Sequence, residues 1–228
     1  MQNESDTMKK SKAKWIENPR CERNATPVFK KRFELKPPLG PAEFSISGLG
    51  FYRLYINDRD ICPETMLQPA FSTYTATVFY NRYDVSSFLR EGENEVRVVL
   101  GSGWFNEPGD DCFDFEHAVW KARPQLICEL EANGRTVLVS DSSWLCAEGK
   151  TVYNSVRFGE DYDATLPEPE FEKAVVAKGP GGLLKEQPLP PIRIQRYLDP
   201  LRRDGRVFDF GSNTSGDVEI CVSGSRGE

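Results

Sequence analysis

Histidine is nearly missing from this sequence: 228 residues carry one, His117. A single imidazole excludes paired-histidine motifs such as H-E-x-x-H and any His-rich zinc site. No C-x-x-C pair occurs among the six cysteines, at positions 21, 62, 112, 128, 146 and 221, which argues against a zinc ribbon. The chain is long enough to bury a core and shows no leader, so the cysteines read as reduced, buried or half-buried thiols. No run approaches the roughly 18 apolar residues of a membrane helix, and no membrane partner is expected. Basic charge is not in excess either. The 29 Lys and Arg stand against 35 Asp and Glu, a net charge of -6, unlike the basic face of a dedicated nucleic-acid binder. Residues 1–14 (MQNESDTMKKSKAK) have no apolar h-region, so no signal peptide is read. The expected location is the cytoplasm by default, or outside the cell where a leader has been removed.

What is present is β patterning. Residues 43–47, 51–56 and 77–83 alternate or are aromatic-rich. Residues 94–100 put Val96, Val98 and Leu100 on one face, and residues 125–131 do the same with Leu126, Cys128 and Leu130. Asn133-Gly134 before residues 136–139 is a strong hairpin signal, and Asn57-Asp58 is a weaker one. Helix signals are few. Residues 84–92, opening on Asp84 and closing on Gly92, predict one or two helical turns. Glycine and proline concentrate at residues 178–182 and 188–191, which predicts a linker there. The alternating run 217–222 reads as a strand and precedes a glycine turn, so the end of the chain is expected to belong to an unfinished second module. Short strands separated by turns predict an all-β protein, a jelly-roll-like β-sandwich.

Six segments, in order, sharpen this. They are residues 46–57 (ISGLGFYRLYIN), 83–94 (YDVSSFLREGEN), 99–105 (VLGSGWF), 154–164 (NSVRFGEDYDA), 187–193 (QPLPPIR) and 208–216 (FDFGSNTSG). Together they resemble the N-terminal β-sandwich region of bacterial α-L-rhamnosidases, glycoside hydrolase family 78. The resemblance implies a galactose-binding-like sandwich followed by the start of a second β-domain. It places an N-terminal tail and edge strand at 1–41, with residues 27–35 pairing with the later module. The main sandwich would then occupy 42–178, a linker 179–189 and the second module 190–228. The basic runs 9–14 and 30–32 read as a solvated end and edge-strand protection. Each signature also has a physical reading: Gly48 and Gly50 suit a bulge or tight bend, and Gly101 and Gly103 permit close backbone approach around Trp104.

The family's chemistry is inverting hydrolysis by two carboxyl groups, which in such enzymes stand roughly 6.5–9.5 Å apart. The resemblance puts them on a separate helical (α/α)6 barrel, expected downstream of Glu228, so no catalytic residue is carried onto this chain. Sugar binding is the remaining candidate. The loop 103–120 is longer than the roughly 12–15 residues at which a functional role becomes common. Trp104 and Trp120 frame it, and either can offer a flat apolar face to a sugar. Asn106 can serve sugar hydroxyls. Asp110, Asp111 and Asp114, with Glu107 and Glu116 nearby, have the oxygen chemistry of a Ca²⁺ site, although no D-x-D-x-D-G loop is present. Some modules in the family resemble calcium-dependent rhamnose binders. Against this stand plainer readings: the tryptophans as sandwich or interdomain packing, the acidic run as a solvated loop, His117 as a loop residue. The expected role is thus an accessory region that supports or recognises an L-rhamnoside or other glycan beside its own catalytic barrel. The alternatives are a ligand-free brace for that barrel and a free-standing carbohydrate-binding module.

Overall fold

The structure is a computed structural model and describes residue 8 and residues 11–21, 25–108, 114–221 and 223–224. It divides into two units, residues 1–192 and 193–228. The first holds β1 Ile16–Glu17, β2 Pro27–Leu35, β3 Ala42–Leu49, β4 Phe51–Ile56, β5 Arg59–Asp60, β6 Thr65–Met66, β7 Thr77–Asp84 and β8 Gly92–Gly101. It continues with β9 Gln125–Ala132, β10 Arg135–Val139, β11 Leu145–Glu148, β12 Thr151–Ser155, β13 Gly159–Tyr162, β14 Glu172–Lys173, β15 Val175–Val176 and β16 Leu183–Glu186. Ile192–Arg193 (β17) lies at the division, and the second unit holds β18 Arg202–Asp204 and β19 Val207–Asp209.

Two sheets form a sandwich. One runs β15-β1-β9-β3-β7-β16 with β10 also on β9; the other runs β14-β11-β2-β8-β4-β5. All pairings are antiparallel except β16 on β7. Period-2 alternation creates the core. Phe44 and Ile46 of β3 and Leu126, Cys128 and Leu130 of β9 meet Leu54 and Ile56 of β4 and Val96, Val98 and Leu100 of β8. Trp144 is fully buried, and its indole N–H donates to the Val139 carbonyl at 2.8 Å, which satisfies the polar edge inside the core. The opposite face of the first sheet is also covered. There Leu49 and Val78 pack with Tyr74 and Phe105, and Tyr80 and Ile127 with Met8.

The hairpin signals form as read. Asn57 and Asp58 have φ of 51° and 60°, and Asn133 and Gly134 have 52° and 69°; both central residues at positive φ make the turn that follows strand twist. The helical stretch is shorter than its sequence signal, a single 3₁₀ turn at Ser86–Phe88. Asp84 does not cap that turn as an N-cap residue; its carboxylate accepts from the Ser86 N–H at 2.9 Å and holds the entry two residues earlier. Those bonds set the Asp84 carboxyl below the usual carboxylate range.

Three placements differ from the sequence reading. β2, expected at an edge, is interior, paired to β8 on one side and β11 on the other. Lys30 and Arg32 share its outer face and Lys31 lies on the other, and each finds a partner: Arg32 Nε lies 2.7 Å from Glu95, Lys31 Nζ donates to Ser143 Oγ at 2.6 Å, and Lys30 sits over the Phe171 ring. The basic run therefore lies here in an interior strand, not at an edge. Leu183–Glu186, in the expected linker, is β16 and joins the first sheet beside β7. Residues 217–221 are not a strand: Val218 and Ile220 are exposed, and a strand forms only with a ladder partner; Val222 lies outside the described residues. In the second unit, β18 and β19 form a hairpin in which Arg203 lies over Phe208.

Candidate functional site

The loop after β8 begins where three glycines let two backbones touch. Gly50 has φ of +76°, and a Cβ there would stand 2.0 Å from the Gly101 carbonyl oxygen; one on Gly103 would stand 2.8 Å from the Gly50 Cα. This closure throws the following side chains outward over the first sheet. Phe105 turns in and meets Tyr74 edge-on, with ring centroids 5.1 Å apart. Trp104 is half-buried: it stacks on Phe115 at 5.3 Å and 30°, while Phe71 meets it edge-on at 6.5 Å. Phe71 itself is 48% exposed, so an aromatic surface reaches solvent here. Trp120 packs against the Leu49–Tyr74–Phe105 cluster, and its indole N–H reaches the Trp104 carbonyl at 3.4 Å. Burial raises the Tyr74 phenol well above its ordinary range, so it stays neutral beneath these rings.

Of the other expected site residues, Asn106 is buried, and its N–H donates to the Ser102 carbonyl at 3.0 Å. Asp110 and Asp111 lie outside the described residues. Asp114 has φ of 53° and is exposed, with its Oδ1 2.6 Å from His117 Nδ1. Among the described residues, no group of three or more His, Cys, Asp or Glu is placed to hold a metal ion. The described part of the set does not by itself compose a Ca²⁺ centre.

A second arrangement was not legible in the sequence. Glu107 is buried at the root of the loop, and its two carboxylate oxygens accept from Ser155 Oγ at 2.5 Å and the Val156 N–H at 2.9 Å. Beside it, Asn154 accepts from the Ser102 N–H at 2.5 Å and donates to Thr26 Oγ1 at 3.3 Å. The β12–β13 hairpin is thereby tied to the loop. It presents Val152, Val156, Phe158 and Tyr162 to solvent, at 46%, 38%, 58% and 64% exposure. The sequence signal was the small polar pair Asn154-Ser155 opening a signature segment; its partner in the loop is invisible to local pattern.

A shallow pocket lies elsewhere, among Tyr52, Arg53, Cys62, Gln68 and Tyr83, with about 10 Å³ of room, the space of one water. Tyr52 Oη lies 2.8 Å from both Tyr83 Oη and Asn81 Oδ1, and burial raises both phenols, so they act as neutral hydrogen-bonding groups. This space is far smaller than a sugar ring.

The architecture is that of a β-sandwich domain in which buried side chains such as Asn94, Glu107 and Ser140 join strands to loops and neighbouring strands. The chain belongs to the family of α-L-rhamnosidase N-terminal domains, whose model matches residues 39–196. It is 26% identical over 226 residues to an α-L-rhamnosidase of Formosa agariphila, covering 90% of this chain and 24% of that protein. An α-L-rhamnosidase of Streptomyces avermitilis is 28% identical over 207 residues, covering 82% and 20%. Among solved structures, the α-L-rhamnosidase of Dictyoglumus thermophilum superposes with a TM-score of 0.71 at 28% identity, covering 85% of this chain and 24% of that one. The Streptomyces avermitilis α-L-rhamnosidase complexed with L-rhamnose gives 0.68 at 25% identity, covering 78% and 18%. The chain thus spans about a quarter of the length of the curated relatives it matches, 24% in the first.

Proposed function

We propose that this domain is a non-catalytic accessory of an α-L-rhamnosidase-like glycoside hydrolase and that it braces the part of the enzyme that cleaves rhamnosides. The observation that carries this reading is the β12–β13 hairpin. Four large apolar side chains face water on it, while its root is fixed by a buried carboxylate. A rigidly held apolar projection is suited to docking, because its ordering entropy has already been lost on folding. Residues 190–228 are in this reading the first strands of a second β-module, in keeping with the exposed Val207, Val218 and Ile220.

The test is a chimera in which this chain replaces the matching quarter of the Formosa agariphila relative. The chimera should be soluble, hydrolyse p-nitrophenyl α-L-rhamnoside and melt above the version lacking the region; Phe158→Asp should remove most of that gain. A chimera no better than the deletion, or one indifferent to Phe158→Asp, overturns the reading.

A second reading, recognition of the rhamnoside itself, is favoured by the solvent-reaching surface of Phe71, Trp104 and Phe115. Titration calorimetry of the isolated chain with L-rhamnose, with and without Ca²⁺, tests it. Heat abolished by Trp104→Ala supports recognition, and no heat from folded protein in either condition rejects it.

A further inference from the structure

The loop after β8 and the β12–β13 hairpin share one carboxylate although Glu107 and Ser155 are 48 residues apart. Both oxygens of Glu107 are occupied, one by the Ser155 hydroxyl and one by the Val156 N–H. The same Ser155 Oγ accepts from the N–H groups of Arg157 at 3.1 Å and Phe158 at 3.0 Å, which form the tip of the hairpin. The order of bonds is therefore carboxylate, hydroxyl, tip. On the other side, the Glu107 carbonyl accepts from Lys121 Nζ at 2.5 Å, so the far end of the aromatic loop is tied to the same residue.

From this geometry we infer that Glu107 is a positioning residue, a latch that fixes the hairpin tip in the conformation that presents Val156 and Phe158 and ties that tip to Lys121. The inference rests on the bracing role proposed above for its purpose, but not for its mechanics. Bonds to an ionised oxygen are the strong ones, and a buried carboxylate has no water to fall back on. The chemistry also selects a carboxylate over an amide. In Glu107→Gln, one position becomes an N–H donor. Turned toward Val156, it opposes another N–H. Turned toward Ser155, it is a third donor to an oxygen already accepting two, and the serine proton loses its acceptor. Either way at least one bond is lost with no change in volume.

Hydrogen exchange on the purified chain tests the latch. Glu107→Gln should speed exchange of the Val156, Arg157 and Phe158 amides by about 10-fold or more, while β3, β8 and β9 amides keep their rates. Ser155→Ala removes the acceptor of the Arg157 and Phe158 N–H groups and leaves the Val156 N–H on Glu107, so it should speed exchange at 157 and 158 while Val156 keeps most of its protection. Unchanged rates at 156–158 in Glu107→Gln, or an equal loss throughout the core, overturn the inference; if Glu107→Gln does not fold, Val156 decides in Ser155→Ala, where its retained protection supports the carboxylate as its anchor and its loss overturns the latch. In the chimera, Glu107→Gln should reproduce the loss of melting temperature expected for Phe158→Asp. Faster exchange at 156–158 with unchanged chimera stability would reject the bracing role and leave the latch standing.

Discussion

Replacing Gly50 by alanine should be far more damaging than its single methyl suggests. Two costs add. At φ of +76° an L-residue is in the left-handed region, which costs about 1–2 kcal/mol. The new Cβ would also lie 2.0 Å from the Gly101 oxygen and 2.4 Å from the Ser102 oxygen. Both are backbone atoms, so neither can swing aside as a side chain would, and forced backbone shifts of this kind cost about 1–3 kcal/mol. The sum is about 2–5 kcal/mol. Gly134→Ala is the matched control: its φ is +69° and nothing lies within 4 Å of the new methyl, so only the first cost, about 1–2 kcal/mol, applies. With a urea dependence of about 2 kcal/mol per molar, the midpoint of the sandwich should fall by about 1–2.5 M for Gly50→Ala and by about 0.5–1 M for Gly134→Ala. Tryptophan near-UV circular dichroism should change in the first variant only, because the displaced carbonyls lead directly into Trp104. Equal midpoint shifts, or an unaltered tryptophan signal in Gly50→Ala, would refute the claim that backbone approach at this joint sets the loop.

Other expectations follow from single sites. Asn94 is fully buried, accepts from Asn57 Nδ2 at 2.9 Å and the Arg90 N–H at 3.0 Å, and donates to the carbonyls of Arg90 and Gly92 at 2.7 and 3.0 Å. Asn94→Ala should cost about 2–4 kcal/mol in urea unfolding, and a cost under about 1 kcal/mol would mean that this bridge does not hold β8 to its neighbours. Burial pushes the Cys146 thiol up to about 11 and the Cys128 thiol higher, whereas Cys221 is exposed. A thiol reagent at pH 8 should therefore modify Cys221 in the native protein and reach Cys128 and Cys146 only on unfolding; native-state labelling of Cys128 would contradict its place in the core. The same shift has a sign in pH. An unfolded thiol ionises near 9, while Cys146 keeps its proton to about 11, so the folded state holds more protons between those values and stability should fall as pH rises through them. Cys146→Ala should flatten that slope, and an unchanged slope would reject the assignment. Phe158→Asp should leave the isolated domain within about 0.5 kcal/mol of the parent by urea unfolding, since an exposed side chain is being changed; a larger loss would place Phe158 in the fold rather than in docking.

Strands were legible wherever both faces of a strand differ in polarity. Val96, Val98 and Leu100 alternate with charged or outward residues, and the burial follows that alternation. Turns were legible where backbone chemistry is local, as at Asn57-Asp58 and Asn133-Gly134. The place of β2 was not. Lys30, Lys31 and Arg32 look like edge protection, yet the sheet sequence is decided by which strands pair across long loops, a property that a run of nine residues does not encode. The site was legible in composition and not in arrangement. Trp104 and Trp120 do converge, through the 3.4 Å contact of an indole N–H with a carbonyl, but Asn106 turns inward and Glu107 serves a hairpin. An acidic residue in a loop carries no local sign of a partner 48 positions away.

The signature segments themselves explain why resemblance reached the fold so much more surely than the chemistry. Gly50 and Gly103 sit where two backbones meet. Asn57 accepts from the Glu95 N–H and donates to the Phe88 carbonyl, so it joins the β4 turn to the 3₁₀ segment. Asn94 closes the same corner from β8, and Asn154 and Ser155 bind the hairpin to the loop. Asp163 accepts from the Thr165 hydroxyl and N–H, bonds that lower its carboxyl, and so shapes the exit from β13. Each of these side chains satisfies a backbone group that the neighbouring strand geometry leaves open. Such residues specify how strands are joined and are indifferent to what sugar an enzyme cleaves. A signature composed of joints identifies a scaffold, and on this scaffold the hairpin fixed by Glu107 is what those joints hold against solvent.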